Sequence, residues 1–203
     1  MKRLFAVVFA ALLTLPVLAL AQPQGKYAYT ELKPQQPTES GSKIEVLEFF
    51  WYGCIHCYNL EPKLDTWLKT KPADVAFRRV PAVLSDRWAH DAAVFYTFEA
   101  LGVLDKLHRP FFDAIHRDRL RSDHMPSLNA WLEKQGVDPK KFDATARSFG
   151  VQSKVKRAIR LTSDYKIEGT PAMAVHGRYS IGASDTMLDT VNQLVASVRK
   201  NKQ

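Results

Sequence analysis

Apolar positions near the start of the folded part of the chain are spaced as in two strands that flank a helix. Residues 44–50 form a nearly continuous apolar run, which is typical of a central strand buried on both faces. A helix is expected from about residue 54 to residue 70, and residues 75–80 are predicted to be the next strand, which Pro81 ends. A strand, a helix and a strand of these lengths predict a right-handed βαβ unit with parallel strands.

Helical spacing dominates the middle of the chain. From residue 85 to about residue 165, apolar residues recur at steps of three and four, which predicts helices throughout. The pair Asp138-Pro139 is typical of a helix start, with an N-cap followed by proline at the first helical position, and Gly150 is expected to be a helix end. Because this block is too long for a simple crossover between strands, we expect an inserted helical subdomain.

The last part of the chain returns to strand spacing. Residues 172–175 and 178–181 are predicted to be two short strands joined by a turn at His176-Gly177, and residues 186–200 to be a closing amphipathic helix. The predicted order is therefore βαβ, a helical block and ββα. This order indicates an α/β protein in which a small sheet flanked by helices carries an all-helical insertion.

The first 21 residues have the composition of an export signal. Lys2 and Arg3 precede an apolar run over residues 4–20, and Ala19-Leu20-Ala21 has the small-x-small form of a signal-peptidase site. We therefore expect residues 1–21 to be a signal peptide that is removed on export, with an uncleaved membrane anchor as the alternative. After residue 21, no apolar run approaches the roughly 20 residues that a membrane-spanning helix needs, so the mature protein is expected to be soluble and outside the cytoplasm.

The net charge is +8, or +6 without Lys2 and Arg3, which indicates a basic surface. Basic surfaces can bind nucleic acid, but export argues against such a partner. The basic residues at positions 117–121 and 154–160 are interleaved with Asp118 or with apolar residues, as on ordinary solvated helix faces. We therefore expect no nucleic-acid partner.

The chain contains two cysteines, Cys54 and Cys57, which lie at the expected junction between a buried strand and a helix. A disulfide that closes so short a loop would add little to the stability of the fold, so the pair points to redox chemistry. At a helix start, free backbone N–H groups and the helix dipole favour the thiolate of Cys54. His56 would add a second donor, with a position in solvent as the alternative. A stabilised thiolate stabilises the reduced dithiol and makes the disulfide a stronger oxidant.

Other uses of two cysteines have less support in the sequence. A zinc site would need two more ligands, and no two histidines lie three to five residues apart. A c-type haem would need a histidine directly after the second cysteine, where Tyr58 stands. A copper site formed by Cys54, Cys57 and a distant histidine stays open. We expect no metal and no cofactor besides the redox-active cysteine pair.

A carboxylate interrupts the apolar face of the first predicted strand. Alternation along the strand places Glu48 on the same face as Val46 and Phe50, where burial would raise the pKa of its carboxyl group. The alternative is that Glu48 reaches the strand end and is solvated. Glu61 lies one helical turn after Cys57 and on the same helix face, and it is open to the same two interpretations.

Three motifs of the chain resemble the DsbA family of periplasmic disulfide oxidases: Glu48-Phe49-Phe50, Cys54-Ile55-His56-Cys57-Tyr58 and Gly169-Thr170-Pro171-Ala172-Met173. The motifs lie far apart and occur in the order that the family has, with Ile55 at a position where proline is common in the best-known members. The resemblance covers nearly the whole mature chain. It implies a thioredoxin fold formed by residues 22–84 and 156–203, with residues 85–155 as the inserted helical subdomain.

The resemblance also implies a site and its partners. Cys54 and Cys57 would form the disulfide that is donated to folding secreted proteins through a mixed disulfide on Cys54. Glu48 would lie beneath that disulfide and move protons for the buried Cys57. A cis peptide bond between Thr170 and Pro171 would face the disulfide, with the backbone of Thr170 available to an extended client, while an ordinary proline at a strand start is the alternative. A periplasmic location, a monomeric state and reoxidation by a quinone-linked membrane partner of the DsbB type are expected as well.

Two other functions stay open. A disulfide isomerase or reductase that is kept reduced in the periplasm would use the same cysteines. Such proteins usually carry a dimerisation domain, for which residues 22–42 leave little room. A metal chaperone or peptide-binding module would use the dithiol as a ligand, and metal titration of the reduced protein would separate it from an oxidase.

Overall fold

The computed structural model describes residues 28–201 of the 203-residue chain, so the predicted signal peptide lies outside the described residues. Strands and helices follow one another in the predicted order. The strands are β1 (Thr30–Glu31), β2 (Ile44–Phe50), β3 (Val75–Pro81), β4 (Ala172–Val175) and β5 (Tyr179–Ile181). The helices are α1 (Ile55–Thr70), α2 (Asp86–Ala100), α3 (Leu104–His116), α4 (Met125–Lys134), α5 (Pro139–Ala146), α6 (Phe149–Asp164) and α7 (Met187–Lys200).

The five described strands form one mixed sheet in the order β1-β5-β4-β2-β3. Strands β2 and β3 are parallel, which confirms the predicted βαβ unit, and the other neighbouring pairs are antiparallel. In the register of β2 and β3, Glu48 lies directly opposite Arg79. The end of strand β2 lies beside the start of β4, because Phe49 pairs with Ala172, so the loop after β2 lies next to the loop before β4.

Both faces of the sheet are covered, which explains why β2 is apolar almost throughout. Ile44 and Val46 of β2 pack into a core with α7 and part of α1. Leu47 and Phe49 point the other way, into a core with helices α2 to α6. Because successive strand residues face opposite sides, one seven-residue strand contributes to both cores.

Helix boundaries within the insertion follow their capping residues. The prediction for Asp138-Pro139 is confirmed, because the Asp138 side chain accepts a hydrogen bond of 2.9 Å from the Lys140 N–H at the start of α5. The prediction for Gly150 is wrong: Ser148 caps the start of α6, and Gly150 lies in the first turn of that helix. Helix α6 is also continuous across residues 155 and 156, where the sequence placed a domain boundary.

The turn between β4 and β5 is as predicted, and it contacts the segment around Gln36 that precedes β2. His176 and Gly177 both have positive φ angles, 51° and 66°. The Gly177 carbonyl accepts a 2.8 Å hydrogen bond from the Gln36 N–H, and a side chain at position 177 would overlap the Gln36 carbonyl.

None of the helices described between residues 28 and 201 is long and apolar enough to cross a membrane.

Candidate active site

Cys54 and Cys57 lie where the loop after β2 turns into α1. Cys54 is the N-cap residue of α1, and its Sγ accepts a 3.4 Å hydrogen bond from the Cys57 N–H. Its own N–H donates to the Trp51 carbonyl at 3.0 Å, which closes the loop. Cys54 is half-buried and Cys57 is fully buried, so an incoming reactant reaches Cys54 first.

The two thiols have opposite acidities. A hydrogen bond from the Cys57 side chain lowers the pKa of the Cys54 thiol to about 5. A hydrogen bond with Thr170 and the backbone N–H groups of Cys57 and His56 add to this effect, and together they outweigh partial burial. Burial, and then the neighbouring Cys54, raise the pKa of the Cys57 thiol far above its ordinary value. At neutral pH, Cys54 is therefore a thiolate and Cys57 a thiol.

The loop before β4 closes the site from the other side. The peptide bond between Thr170 and Pro171 is cis, and the Thr170 carbonyl lies 3.2 Å from the Cys54 sulfur. The structure therefore brings together three of the predicted residues, Cys54, Thr170 and Pro171, although 116 positions separate the first two.

His56 lies on the exposed side of the same helix turn. Its side chain and Pro171 line a groove of about 550 Å³ between the starts of α1 and α7, together with Leu60, Met187 and Leu188. The backbone N–H of His56 is one of several groups that lower the pKa of the Cys54 thiol, and it contributes less than Cys57 and Thr170. The imidazole is at the surface, which leaves the role of the side chain a prediction.

Glu48 is fully buried, so the solvated alternative is wrong. Its carboxylate lies 3.1 Å from Arg79 Nε but, within the described part of the chain, makes no well-directed hydrogen bond. Burial, only partly offset by the charge of Arg79, raises the pKa of Glu48 to about 8. The side chain thus holds a proton at neutral pH, and once ionised its charge would raise the pKa of the Cys57 thiol further.

Glu61 is buried as well, so it is not a solvated helix residue. Arg79 Nη2 donates to both of its carboxylate oxygens, at 3.2 and 3.1 Å. His108 Nε2 lies 3.6 Å away on the other side. Although burial alone would raise the pKa of Glu61, His108 and Arg79 together hold it below the ordinary value. Glu61 is therefore ionised while Glu48 is not.

Comparison with known proteins decides the family. A family model described as a DSBA-like thioredoxin domain matches residues 74–195. The thiol:disulfide interchange protein DsbA of Bordetella parapertussis is 40% identical to this chain, and the match covers 98% of this chain and 97% of that protein. The chain belongs to the DsbA family.

Solved structures of DsbA proteins have the same fold. Pseudomonas aeruginosa DsbA superposes with a TM-score of 0.80 at 34% identity, covering 87% of this chain and 94% of that one. The DsbA oxidoreductase of Xylella fastidiosa gives a TM-score of 0.78 at 30% identity, covering 85% of this chain and 95% of that one. The thioredoxin fold with additional helices, predicted from the sequence, is confirmed.

Two residues of this DsbA-family site were missed by the sequence analysis: Arg79 and His108. Arg79 is recognisable only from the register that sets it opposite Glu48. His108 left a weak signal, since it stands on the apolar face of α3 next to Leu107 and one turn before Phe111 and Phe112.

Trp51 fixes the loop that carries the cysteines. Its indole stacks on Trp88 with ring centroids 4.5 Å apart, and its Nε1–H donates to Asp91 at 2.6 Å. Gly53 lies against the same indole, so that any side chain at position 53 would overlap the ring. In this DsbA-family protein the first helix of the insertion therefore holds the active-site loop in place.

Among residues 28–201, no group of three or more histidine, cysteine, aspartate or glutamate side chains is arranged to hold a metal ion. The two cysteines are instead accompanied by backbone donors and a buried carboxyl group. This arrangement suits thiol chemistry and proton transfer.

The acidity of Cys54 predicts how the stability of the reduced protein depends on pH. A thiol whose pKa falls from 9.0 to about 5 on folding stabilises the fold at high pH, and this stabilisation is lost as the pH falls through 5. The reduced protein should gain about 2 kcal/mol relative to the oxidised protein between pH 4 and pH 7, after allowance for partial exposure. Urea unfolding of both forms across this range measures the gain, and a difference that does not change with pH would contradict the assignment.

Proposed function

We propose that this chain is a protein-disulfide oxidase that donates a Cys54–Cys57 disulfide to folding secreted proteins. Membership of the DsbA family makes it a thiol:disulfide oxidoreductase. The observation that carries the direction of transfer is the acidity of Cys54, whose pKa is lowered to about 5 at the start of α1. A stable Cys54 thiolate favours the reduced enzyme, which makes the disulfide an oxidant.

The reaction begins at Cys54 because it is the accessible sulfur. A client thiolate attacks Cys54 Sγ, a bond forms between the client sulfur and Cys54, and the Cys54–Cys57 bond breaks. The electron pair of that bond leaves on Cys57. A second client thiolate then attacks the client sulfur of the mixed disulfide, so the client gains a disulfide and Cys54 leaves as a thiolate.

Glu48 supplies the proton that this exchange requires. Cys57 is fully buried, and burial raises the pKa of its thiol, so a Cys57 thiolate is costly. Glu48 is protonated at neutral pH because burial raises its pKa to about 8. Transfer of that proton to Cys57 leaves a Glu48 carboxylate 3.1 Å from Arg79 Nε, where the charge is partly neutralised.

Client binding combines main-chain pairing with a groove. The Thr170 backbone lies beside the Cys54 sulfur at 3.2 Å and can pair with an extended client chain. The neighbouring groove, lined in part by Pro171, Leu60 and Leu188, offers apolar surface next to this position. Main-chain pairing ignores side-chain identity, which suits an enzyme with many clients.

The wider setting follows from the family and the sequence. We infer a periplasmic location after removal of residues 1–21, a monomeric enzyme, no cofactor besides its own disulfide, and reoxidation by a quinone-linked membrane protein of the DsbB type. The relatives' name, thiol:disulfide interchange protein DsbA, supports the use of the protein's own disulfide.

The deciding experiment is the equilibrium of the cysteine pair with glutathione. An oxidase should have a potential well above that of thioredoxin, about −270 mV, and should oxidise a reduced model peptide catalytically when glutathione disulfide is supplied. A thioredoxin-like potential would instead support a reductant. Failure of the oxidised protein to transfer its disulfide to the peptide would refute the oxidase function.

His56→Ala tests the imidazole next to Cys54. If the side chain stabilises the thiolate, its removal should raise the pKa of Cys54 and make the couple less oxidising by about 2 kcal/mol, roughly 40 mV. The backbone donors remain, so part of the acidity should survive. Absorbance titration of the thiolate decides between the hypotheses, and superimposable curves for the two proteins would show that the imidazole has no such role.

A further inference from the structure

Helix α3 places a histidine among aromatic rings, where a polar side chain needs partners. The imidazole of His108 is 7% exposed and packs against Phe50 and Phe112, with ring centroids 5.3 and 5.2 Å away. Its Nδ1 lies 2.8 Å from the Tyr52 hydroxyl, and its Nε2 lies 3.6 Å from Glu61 Oε1. Each ring nitrogen thus faces one polar group of the site.

Tyr52 determines which nitrogen carries the proton. Burial raises the pKa of the Tyr52 hydroxyl well above its ordinary value, so the hydroxyl keeps its proton and donates it to Nδ1. Burial also lowers the pKa of His108, so the ring is neutral and its single N–H is on Nε2. That N–H faces the Glu61 carboxylate.

A cavity connects this group with the outside. It has a volume of about 280 Å³ and lies between α1, β3 and the start of α3. Exposed carboxylates, Asp65 and Asp105, line it together with the buried Glu61, Arg79 and His108. The remaining charged group at its wall is Arg109, on the same helix as His108.

We propose that His108 is a positioning residue for the proton exchange at Cys57. Its Nε2–H makes no hydrogen bond within the described residues, but it faces Glu61 at 3.6 Å and favours the ionised carboxylate on Arg79. This leaves Glu48 without a complete partner and therefore able to carry a proton. The cavity is the place where this group of side chains exchanges that proton with solvent. The inference rests on the proposed oxidase function and adds a residue and a proton route to it.

The charges around Glu48 explain why removal of His108 should lower the pKa of its carboxyl group. Arg79 Nη2 donates hydrogen bonds to both Glu61 oxygens, so Glu48 is left with the Arg79 Nε atom, 3.1 Å away. The negative charge of Glu61 also raises the pKa of Glu48. Without the His108 donor, Glu61 is protonated more easily and Arg79 turns towards Glu48. Both changes favour the Glu48 carboxylate and lower its pKa.

The test is a ¹³C NMR titration of the Glu48 carboxyl group in the reduced full chain, with the signal assigned from its absence in Glu48→Gln. Loss of the N–H that faces Glu61 at 3.6 Å predicts that His108→Leu titrates about half a pH unit below the wild type. His108→Gln keeps an N–H near the Nε2 position and should titrate close to the wild type. Equal midpoints in wild type and His108→Leu overturn the proposal.

A matched control separates positioning from general packing. His116 is on the same helix, but its Nε2 contacts the Tyr52 carbonyl at 2.8 Å rather than the carboxylates. His116→Leu should leave the Glu48 midpoint unchanged, and an equal shift in this variant would overturn the proposal. If His108→Leu does not fold, Tyr52→Phe takes its place, because loss of the hydroxyl frees the histidine tautomer and should move the midpoint the same way by less.

A measurement of the reaction rate against pH distinguishes failure of this inference from failure of the proposed function. Opening of the oxidised protein by a thiol peptide is followed against pH for wild type and His108→Leu, and the same downward shift is expected in the pH profile. If the wild type transfers no disulfide to the peptide, the oxidase function fails, while the NMR titration still decides the role of His108. If the wild type is active but the profiles coincide, the inference fails and the function stands.

Discussion

Cys54→Ser is expected to abolish both peptide oxidation and the capture of clients, whereas Cys57→Ser should capture clients and hold them. Cys54 is the half-buried sulfur beside Thr170, and Cys57 is fully buried behind it. With serine at position 57, a mixed disulfide on Cys54 loses the internal thiol that could release it, so the covalent complex persists. Each variant is first treated with glutathione disulfide, which places glutathione on the remaining cysteine as a mixed disulfide. A reduced, unfolded protein then displaces glutathione, and non-reducing gel electrophoresis measures the trapped fraction.

The two serine variants are each other's control, because both lose the internal disulfide. Catalytic turnover should be lost in both, by several orders of magnitude, while the trapped complex forms in Cys57→Ser alone. Trapping by the Cys54→Ser variant, with none by Cys57→Ser, would reverse the roles of the two sulfurs.

Glu48→Gln should make the protein more stable as the pH rises. A buried carboxyl whose pKa is raised from 4.5 to about 8 contributes stability below pH 4.5 and loses it as the pH rises through 8. Glutamine has the shape of the protonated acid and does not titrate. Relative to the wild type, the variant should therefore gain about 3 kcal/mol between pH 4.5 and pH 7, measured by urea unfolding of the reduced proteins.

Glu61→Gln is the matched control, since the same chemical change removes a carboxylate with the opposite shift. The pKa of Glu61 is held below its ordinary value by His108 and Arg79, so its stabilising contribution is present above the ordinary pKa and is lost as the pH falls. Glu61→Gln should be less stable than the wild type at neutral pH. If Glu48→Gln also lost stability at neutral pH, Glu48 would be ionised in the folded protein, contrary to the prediction.

Periodicity was sufficient to predict most of the fold. The run over residues 44–50 predicted a strand buried on both faces because apolar residues continue without alternation, and β2 does contribute to two cores. The misplaced helix end at Gly150 shows the limit of such rules. A glycine can stop a helix or be tolerated in its first turn, and here the cap of Ser148 on the Val151 N–H decides for the second.

The site could be predicted only where a local pattern carries it. The cysteines, His56 and the Thr170-Pro171 pair stand in short motifs, so their positions follow from the sequence and the resemblance. Arg79 and His108 come from elements far from those motifs, and their approach to Glu61 depends on strand register and on how α3 packs against α1. Neither property can be read from residue spacing within one segment.

The edges of the sheet are built against aggregation. An enzyme that meets unfolded chains risks having them add to a free strand, as in the growth of amyloid fibrils. One outer strand, β1, is two residues long and offers almost no template. The other, β3, carries Arg78 and Arg79 and ends in proline, a composition that discourages strand addition. Under the proposed function, the Thr170 backbone beside Cys54 is then the place where an extended client pairs, and the chance that client and enzyme co-precipitate is reduced.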